Sequence, residues 1–230
     1  MALPLYLAQT PAEMAGNPLS ENMVYMACHF SPGGKGLSNL PEKLPPGSIL
    51  ILDDSIPMDG HDPQQILGQL RELVSRYICD SLLLDFQRDN IPGQQELARV
   101  LCEGLPCPVG VSAVYARELN CPVFLAPVPP DKLLSEHLSS WSGREIWLEA
   151  ALDGLSLTLT EAGCAAEMLW NYPEDGRLDE KLHCHYTIET AADSAIFRLW
   201  RTGPDLASLL SEAESLDVTR AIGLWQELGN

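Results

Sequence analysis

Short apolar runs separated by helical or loop stretches constrain this chain more than any other feature. "LPLYLA" (3–8), "MVYMACHF" (23–30), "SILILDD" (48–54), "SLLLDFQ" (81–87), "PVGVSAVY" (108–115), "PVFLAPV" (122–128), "EIWLEAAL" (145–152) and "AIGLWQEL" (221–228) recur along the sequence. Several are apolar on both faces, as strands of a parallel sheet covered by helices are. The helical signal between them is clearest in "DPQQILGQLRELVSRYI" (62–78). There Ile66, Leu70, Leu73 and Tyr77 share one face, Asp62 suits the cap and Pro63 the first turn. Further helices are predicted over 93–104, 130–141 and 203–216.

Strands alternating with helices imply an α/β fold with a parallel sheet. Eight candidate strands predict a compact (β/α)8 TIM-like barrel, with an open doubly wound sheet as the alternative. The whole chain, 1–230, reads as one barrel domain. The rhythm changes over about 153–203, where "LSLTLTEAG", "LHCHYTIET" and "SAIFRLWRT" alternate as antiparallel strands do. The last two, joined by "AAD", read as a hairpin. This segment is expected to be a small antiparallel insertion before the last barrel strand.

Charge excludes some partners. The formal net charge of -18, from 32 acidic and 14 basic residues, argues against nucleic acid, whose phosphates need Lys and Arg. It argues equally against an anionic membrane surface. No uncharged apolar run approaches the ~20 residues needed to span a bilayer. The start "MALPLYLAQTPAEM" lacks the basic and long apolar parts of a secretory leader. Seven cysteines without a C-x-x-C pair fit buried reduced thiols, with Cys28, Cys79, Cys121 and Cys164 in apolar or small-residue surroundings. A cytoplasmic location is the resulting expectation. The sequence has no nucleophile elbow, phosphate loop or dinucleotide fingerprint, so no cofactor is expected. "DDSIPMDGHD" (53–62) reads as a polar loop before a helix cap, and "HCH" (183–185) as a hairpin surface; no metal site is expected.

A barrel of this kind works at the C-terminal ends of its strands. Those ends carry Asp53 and Asp54, Asp85 and Gln87, Glu149, and Gln226 with Glu227. Asp85 stands out because it follows "SLLL" in a central strand, where a bare charge is unfavourable without partners. Side chains alternate faces in a strand, so Asp85 and Gln87 are expected to point the same way. Trp225, at the end of the last run, suits a sugar-stacking floor or a core position.

The order strand "SILILDD", helix, strand "CDSLLLDFQR" resembles strands three and four of glycoside hydrolase family 18. There the fourth strand carries D-G-x-D-x-D-x-E. The terminal hairpin, helix and strand "VTRAIGLWQELG" resemble the spore-coat and peptidoglycan-active branch of that family. The resemblance covers about half of the chain, in two blocks. It sets Asp80 on the first Asp of the motif, Asp85 on the third, and Trp225 on the Trp flooring the sugar site. Ser81 replaces the Gly, Leu83 the middle Asp, and Gln87 the catalytic Glu. In the family that Glu protonates the glycosidic oxygen while the substrate's acetamido group, held by the third Asp, attacks the anomeric carbon.

An amide cannot supply the proton, so the resemblance implies a catalytically degenerate barrel. Asp85, Gln87, Glu149 and Trp225 would bind an N-acetylated sugar or peptidoglycan fragment, without ordinary chitinase activity. Two alternatives stay open. An active hydrolase could draw its acid from Asp54, Glu149 or Glu227, or the chain could be a partner-binding scaffold with its mouth filled by side chains.

Overall fold

A computed structural model describes residues 3–16 and 22–229. Among them, eight parallel strands close into a ring: β1 (Leu5–Gln9), β2 (Met23–Phe30), β4 (Ile49–Asp53), β5 (Ser81–Asp85), β6 (Val109–Ser112), β7 (Val123–Leu125), β8 (Ile146–Ala150) and β14 (Val218–Leu224). A two-residue strand, β3 (Leu37–Ser38), adds antiparallel to β2. Closure rests on β1, which pairs with β2 on one side and β14 on the other. That double pairing rules out the open doubly wound sheet, which would leave two edges. Both N-terminal runs are barrel strands.

The connections form an incomplete helical coat. They are α1 (Pro11–Gly16), α2 (Pro63–Tyr77), α3 (Gln94–Gly104), the one-turn α4 (Ala113–Ala116) and α5 (Leu134–Leu138), which continues into a 3-10 turn. α2 starts as its sequence dictates: Asp62 accepts from the Gln64 amide at 3.0 Å and Pro63 occupies the first turn. Its stripe of Ile66, Leu67, Leu70, Leu73 and Val74 is buried against the barrel's outer face.

Inside the ring, strand periodicity sorts the side chains into layers. Ala8, Val24, Ile49, Ile51, Leu83, Phe124, Trp147 and Ile222 form the buried interior, with Tyr6 and Met26 packed against it. Trp147 fills the centre, and Gly110 of β6 makes room for it: a Cβ there would come within 2.3 Å of the indole. Below Trp147, Arg220 of β14 stacks over the indole at 4.7 Å and over Tyr6 at 5.7 Å, and forms an ion pair with Asp80. The N-terminal end of the barrel is thus occupied by packed side chains.

The second sheet is antiparallel, in the order β10 (Gly163–Met168), β9 (Gly154–Thr160), β13 (Ser194–Trp200), β12 (Cys184–Thr190), β11 (Arg177–Asp179). It lies between β8 and β14, followed by α6 (Gly203–Ala213), whose capping box pairs Thr202 with Asp205. The β12–β13 hairpin matches the sequence reading. "HCH" does not match its expected surface role. His183 bonds Glu212 at 2.7 Å and His185 bonds Asp205 at 2.8 Å, so both imidazoles face α6. The last strand also differs: it starts at Val218 and ends at Leu224, and Trp225 opens a one-turn helix, α7 (Trp225–Leu228). The apolar run alone began too late and continued past the strand's end; the start at "VTR" is the one the resemblance implied.

Candidate functional site

The alternation that builds the interior also builds the mouth. On β4 the inward series is Ile49, Ile51, Asp53; on β5 it is Leu83, Asp85; on β8 it is Trp147, Glu149. Each acid sits one step above the apolar layer. Asp53 and Asp85 are register partners on neighbouring strands. With Ala8, Met26, Ile51, Phe124, Ile222, Gly223 and Leu224, the three acids line a cavity of about 270 Å³ at the C-terminal end of the barrel. The floor is hydrocarbon and the polar groups are carboxylates. No Lys or Arg belongs to this lining.

Asp85 is held by two donors. Gln87 Nε2 donates to its Oδ1, and Ser112 Oγ reaches the same oxygen at 3.4 Å while also donating to the Leu84 carbonyl at 3.1 Å. Burial raises the Asp85 carboxyl above its usual range against these two hydrogen bonds, with the charges of Asp53 and Asp54 adding to the rise. Glu149 has no hydrogen bond among the described residues. Burial, then repulsion from Asp85, Asp153 and Glu227, pushes its pKa up to about 7. A carboxyl in that range is able to donate a proton at neutral pH.

The other anticipated residues have different duties. Asp54 is buried and points into the loop after β5, accepting from the amides of Gln87 at 3.2 Å and Arg88 at 3.0 Å and from Gln94 Nε2 at 3.2 Å. Glu227 accepts from the Leu152 amide, and burial raises its carboxyl. Asp80 lies at the opposite end of β5, paired with Arg220. Gln87 lies beyond the end of β5 and is exposed, yet its amide returns to Asp85. Trp225 does not line the cavity, because Leu224 takes the inward position and the chain then coils into α7.

The sequence reading passed over Ser112, which parity on "VGVS" would have placed inward beside Gly110. It also passed over Tyr172, whose hydroxyl donates to the Leu152 carbonyl beside the mouth and whose ring lies against Gly154. Among the described residues, no group of three or more His, Cys, Asp or Glu is disposed to hold a metal ion, and no helix is long and apolar enough to cross a membrane.

No protein-family model matches the sequence, and no curated protein matches it. Solved structures do match. The spore cortex-lytic enzyme SleL of Bacillus cereus superposes with a TM-score of 0.56 at 10% identity, over 96% of this chain and 70% of that one. The sporulation-specific glycosylase YdhD of Bacillus subtilis, described as putative, gives 0.55 at 9% identity, over 86% and 90%. A double mutant of the GH18 chitinase from Cycas revoluta, in complex with (GlcNAc)4, gives 0.60 at 12% identity, over 96% and 94%. At these identities the likeness is one of fold: the chain has a glycoside hydrolase family 18-like barrel.

Proposed function

We propose that the barrel mouth binds an N-acetylated sugar or a peptidoglycan fragment and lacks the ordinary chitinase reaction. The observation carrying this reading is the contact between Gln87 and Asp85. Where the resemblance expects a proton-donating Glu, an amide donates a hydrogen bond to the neighbouring carboxylate. General acid help is worth ~10² to 10⁴ in rate, and an amide cannot supply it. Asp85 keeps the capacity to accept from an acetamido N–H. The Cycas revoluta chitinase complexes with GlcNAc oligomers support a carbohydrate as the ligand class. The cavity is small beside the ~300 to 1,000 Å³ of drug-sized sites, which suits one sugar ring with the remainder of a glycan outside.

Isothermal titration with N-acetylglucosamine oligomers tests the reading. Binding at millimolar sugar or below is expected, weakened about tenfold by Asp85→Ala, the loss of one charge-assisted hydrogen bond of about 1.4 kcal/mol. No binding at millimolar concentration, with wild type and Asp85→Ala alike, would sink it.

One observation favours a second reading, an active hydrolase with a displaced acid. Glu149 shares the cavity with Asp85 and titrates near neutrality. Of the three alternative acids, Asp54 and Glu227 accept backbone hydrogen bonds, which leaves Glu149 as the free one. This reading predicts turnover of a chromogenic N-acetylglucosaminide that falls above pH 7, disappears in Glu149→Gln and is indifferent to Gln87→Ala. Absence of turnover in the wild type rejects it and leaves the binding reading standing.

A further inference from the structure

The second sheet has two unlike faces, and its ladder registers sort the side chains between them. Ser156, Thr158, Glu167, Thr187, Glu189 and Arg198 point one way, with Glu189 and Arg198 ion-paired. His185 and Trp200 belong to the same face, and α6 packs on it through the bond between His185 and Asp205. The opposite face is apolar row after row. One row runs Met168, Leu155, Leu199, Tyr186 from β10 to β12, and the next Ala166, Leu157, Phe197, Ile188. A third starts at Cys164 on β10, which is exposed, not buried as expected from the sequence.

From β9, β10, β12 and β13 no charged residue points to the apolar face, in a chain with 32 acidic residues. One corner is held against the loop after β7, where Cys184 reaches the Pro130 carbonyl at 3.3 Å and Leu199 is buried. Among the described residues, Met168, Leu157, Phe197 and Ile188 join neither core cluster of the barrel. Met168 is 56% and Ile188 49% exposed. A contiguous apolar patch of this extent marks an interface.

We propose that a second copy of this chain packs on this face, sheet against sheet, about a two-fold axis parallel to the strands. Self-complementarity favours a copy. The β10 edge protrudes, with Met168 followed by Trp170, itself 81% exposed. The β11 edge is hollow: a cavity of about 450 Å³ opens beside Arg177, Tyr186 and Ile188, where β11 begins. Met168 and Arg177 stand at the same height on opposite edges, both in the row of Leu155 and Tyr186. A two-fold along the strands lays the β10 edge of each copy over the β11 edge of the other. Met168 and Trp170 then enter the hollow twice over, with the Arg177 guanidinium there to meet the indole. Size also fits. Strand spacing and rise give the face about 24 by 20 Å, so two copies bury on the order of 1,000 Å², the area a specific interface needs. Two sheets packed in this way keep their strands nearly aligned. The net charge of -18 on each copy lies outside the face, where salt screens the repulsion.

The test is the mass of the full chain in solution, by sedimentation equilibrium at micromolar concentration. A dimer of the 25.2 kDa chain is expected, and it should tighten as salt rises from about 0.05 to 0.5 M. Ile188→Glu and Met168→Glu put a charge at exposed positions of the face; each should weaken the dimer about tenfold or more with unchanged circular dichroism. Trp170→Ala should weaken it several-fold, and Thr158→Glu, on the opposite face, should leave it intact. A wild type that is monomeric at every salt concentration would overturn the proposal and leave the face to a different partner. A dimer that survives both Ile188→Glu and Met168→Glu, or that Thr158→Glu breaks as fully as they do, would overturn it as well. Sugar binding is read separately, so neither result decides the other.

Discussion

At the scale of single residues, the mouth is governed by carboxylates forced together without cations in the same cavity. Glu149 carries most of that tension, its carboxyl pushed from the ordinary 4.5 up to about 7. Because the folded value is the higher one, its contribution to stability is complete below about pH 4.5 and is lost as pH rises through about 7. Asp85, also raised, acts in the same direction. The magnitude for Glu149 is on the order of 3 kcal/mol across that window. Glu149→Gln removes the titration while keeping the shape. We expect the variant to gain on the wild type at pH 8 and to lose that advantage at pH 4, as read from denaturant unfolding midpoints. Equal midpoint differences at both pH values would place the repulsion elsewhere. Asp54 shows the contrasting fate of an acid one residue away: three donors bond it, and it orders the loop that brings Gln87 back to Asp85.

At the scale of elements, α2 shows where the sequence is locally consistent and where it is strained. Its cap, Pro63 and apolar stripe agree, but its C-terminal residue is Ile78, a β-branched side chain at φ 52, ψ 48. Left-handed backbone disfavours an L-residue by roughly 1–2 kcal/mol, and a branched Cβ worsens it. Ile78 is 67% exposed, so replacing it forfeits little packing. Ile78→Gly should raise stability by about 0.5–1 kcal/mol after the entropy of Gly in the unfolded chain is subtracted. In a chain of this size that is a rise of about 2 °C in Tm, with Ile78→Ala giving less because the Cβ remains. A Tm unchanged or lowered by Ile78→Gly would show that the helix end relaxes in solution. The helices and strands with strong local patterns were legible in the sequence for this reason. β4, β5 and α2 match their predicted spans within a residue or two. The apolar run understated the last strand because Arg220 faces the barrel's interior through partners distant in sequence: Asp80, Ser81, Tyr6 and Trp147.

The same division between local and distant partners holds for the whole molecule. A lone acid after an apolar run marked Asp85, and strand-end position marked Glu149; both line the cavity. Ring closure by β1, the anchoring of Asp54 and the coupling of the insertion depend on contacts between distant segments, which no local pattern reports. Arg201 illustrates the last. It follows β13, is 1% exposed, and sends its guanidinium to the carbonyls of Val128 and Pro129 after β7 and of Leu182 and His183 before β12. Its own amide donates to Asp153 at 3.1 Å, at the exit of β8. Burial lowers its pKa, and no carboxylate is hydrogen-bonded to it among the described residues; carbonyl dipoles from two parts of the chain hold the charge. Arg201 therefore clasps the second sheet to the barrel rim next to the mouth. Arg201→Met keeps the stem but orphans several buried carbonyls, which we expect to lower stability by about 3 kcal/mol or more. Arg201→Lys should recover only part of this, since an ammonium cannot span four carbonyls as the planar fork does. Hydrogen exchange separates a clasp from general core damage. With the clasp broken, amides of β9 to β13 should lose protection while those of β4, β5 and β8 keep it; equal loss in both sheets would mean that insertion and barrel unfold as one unit.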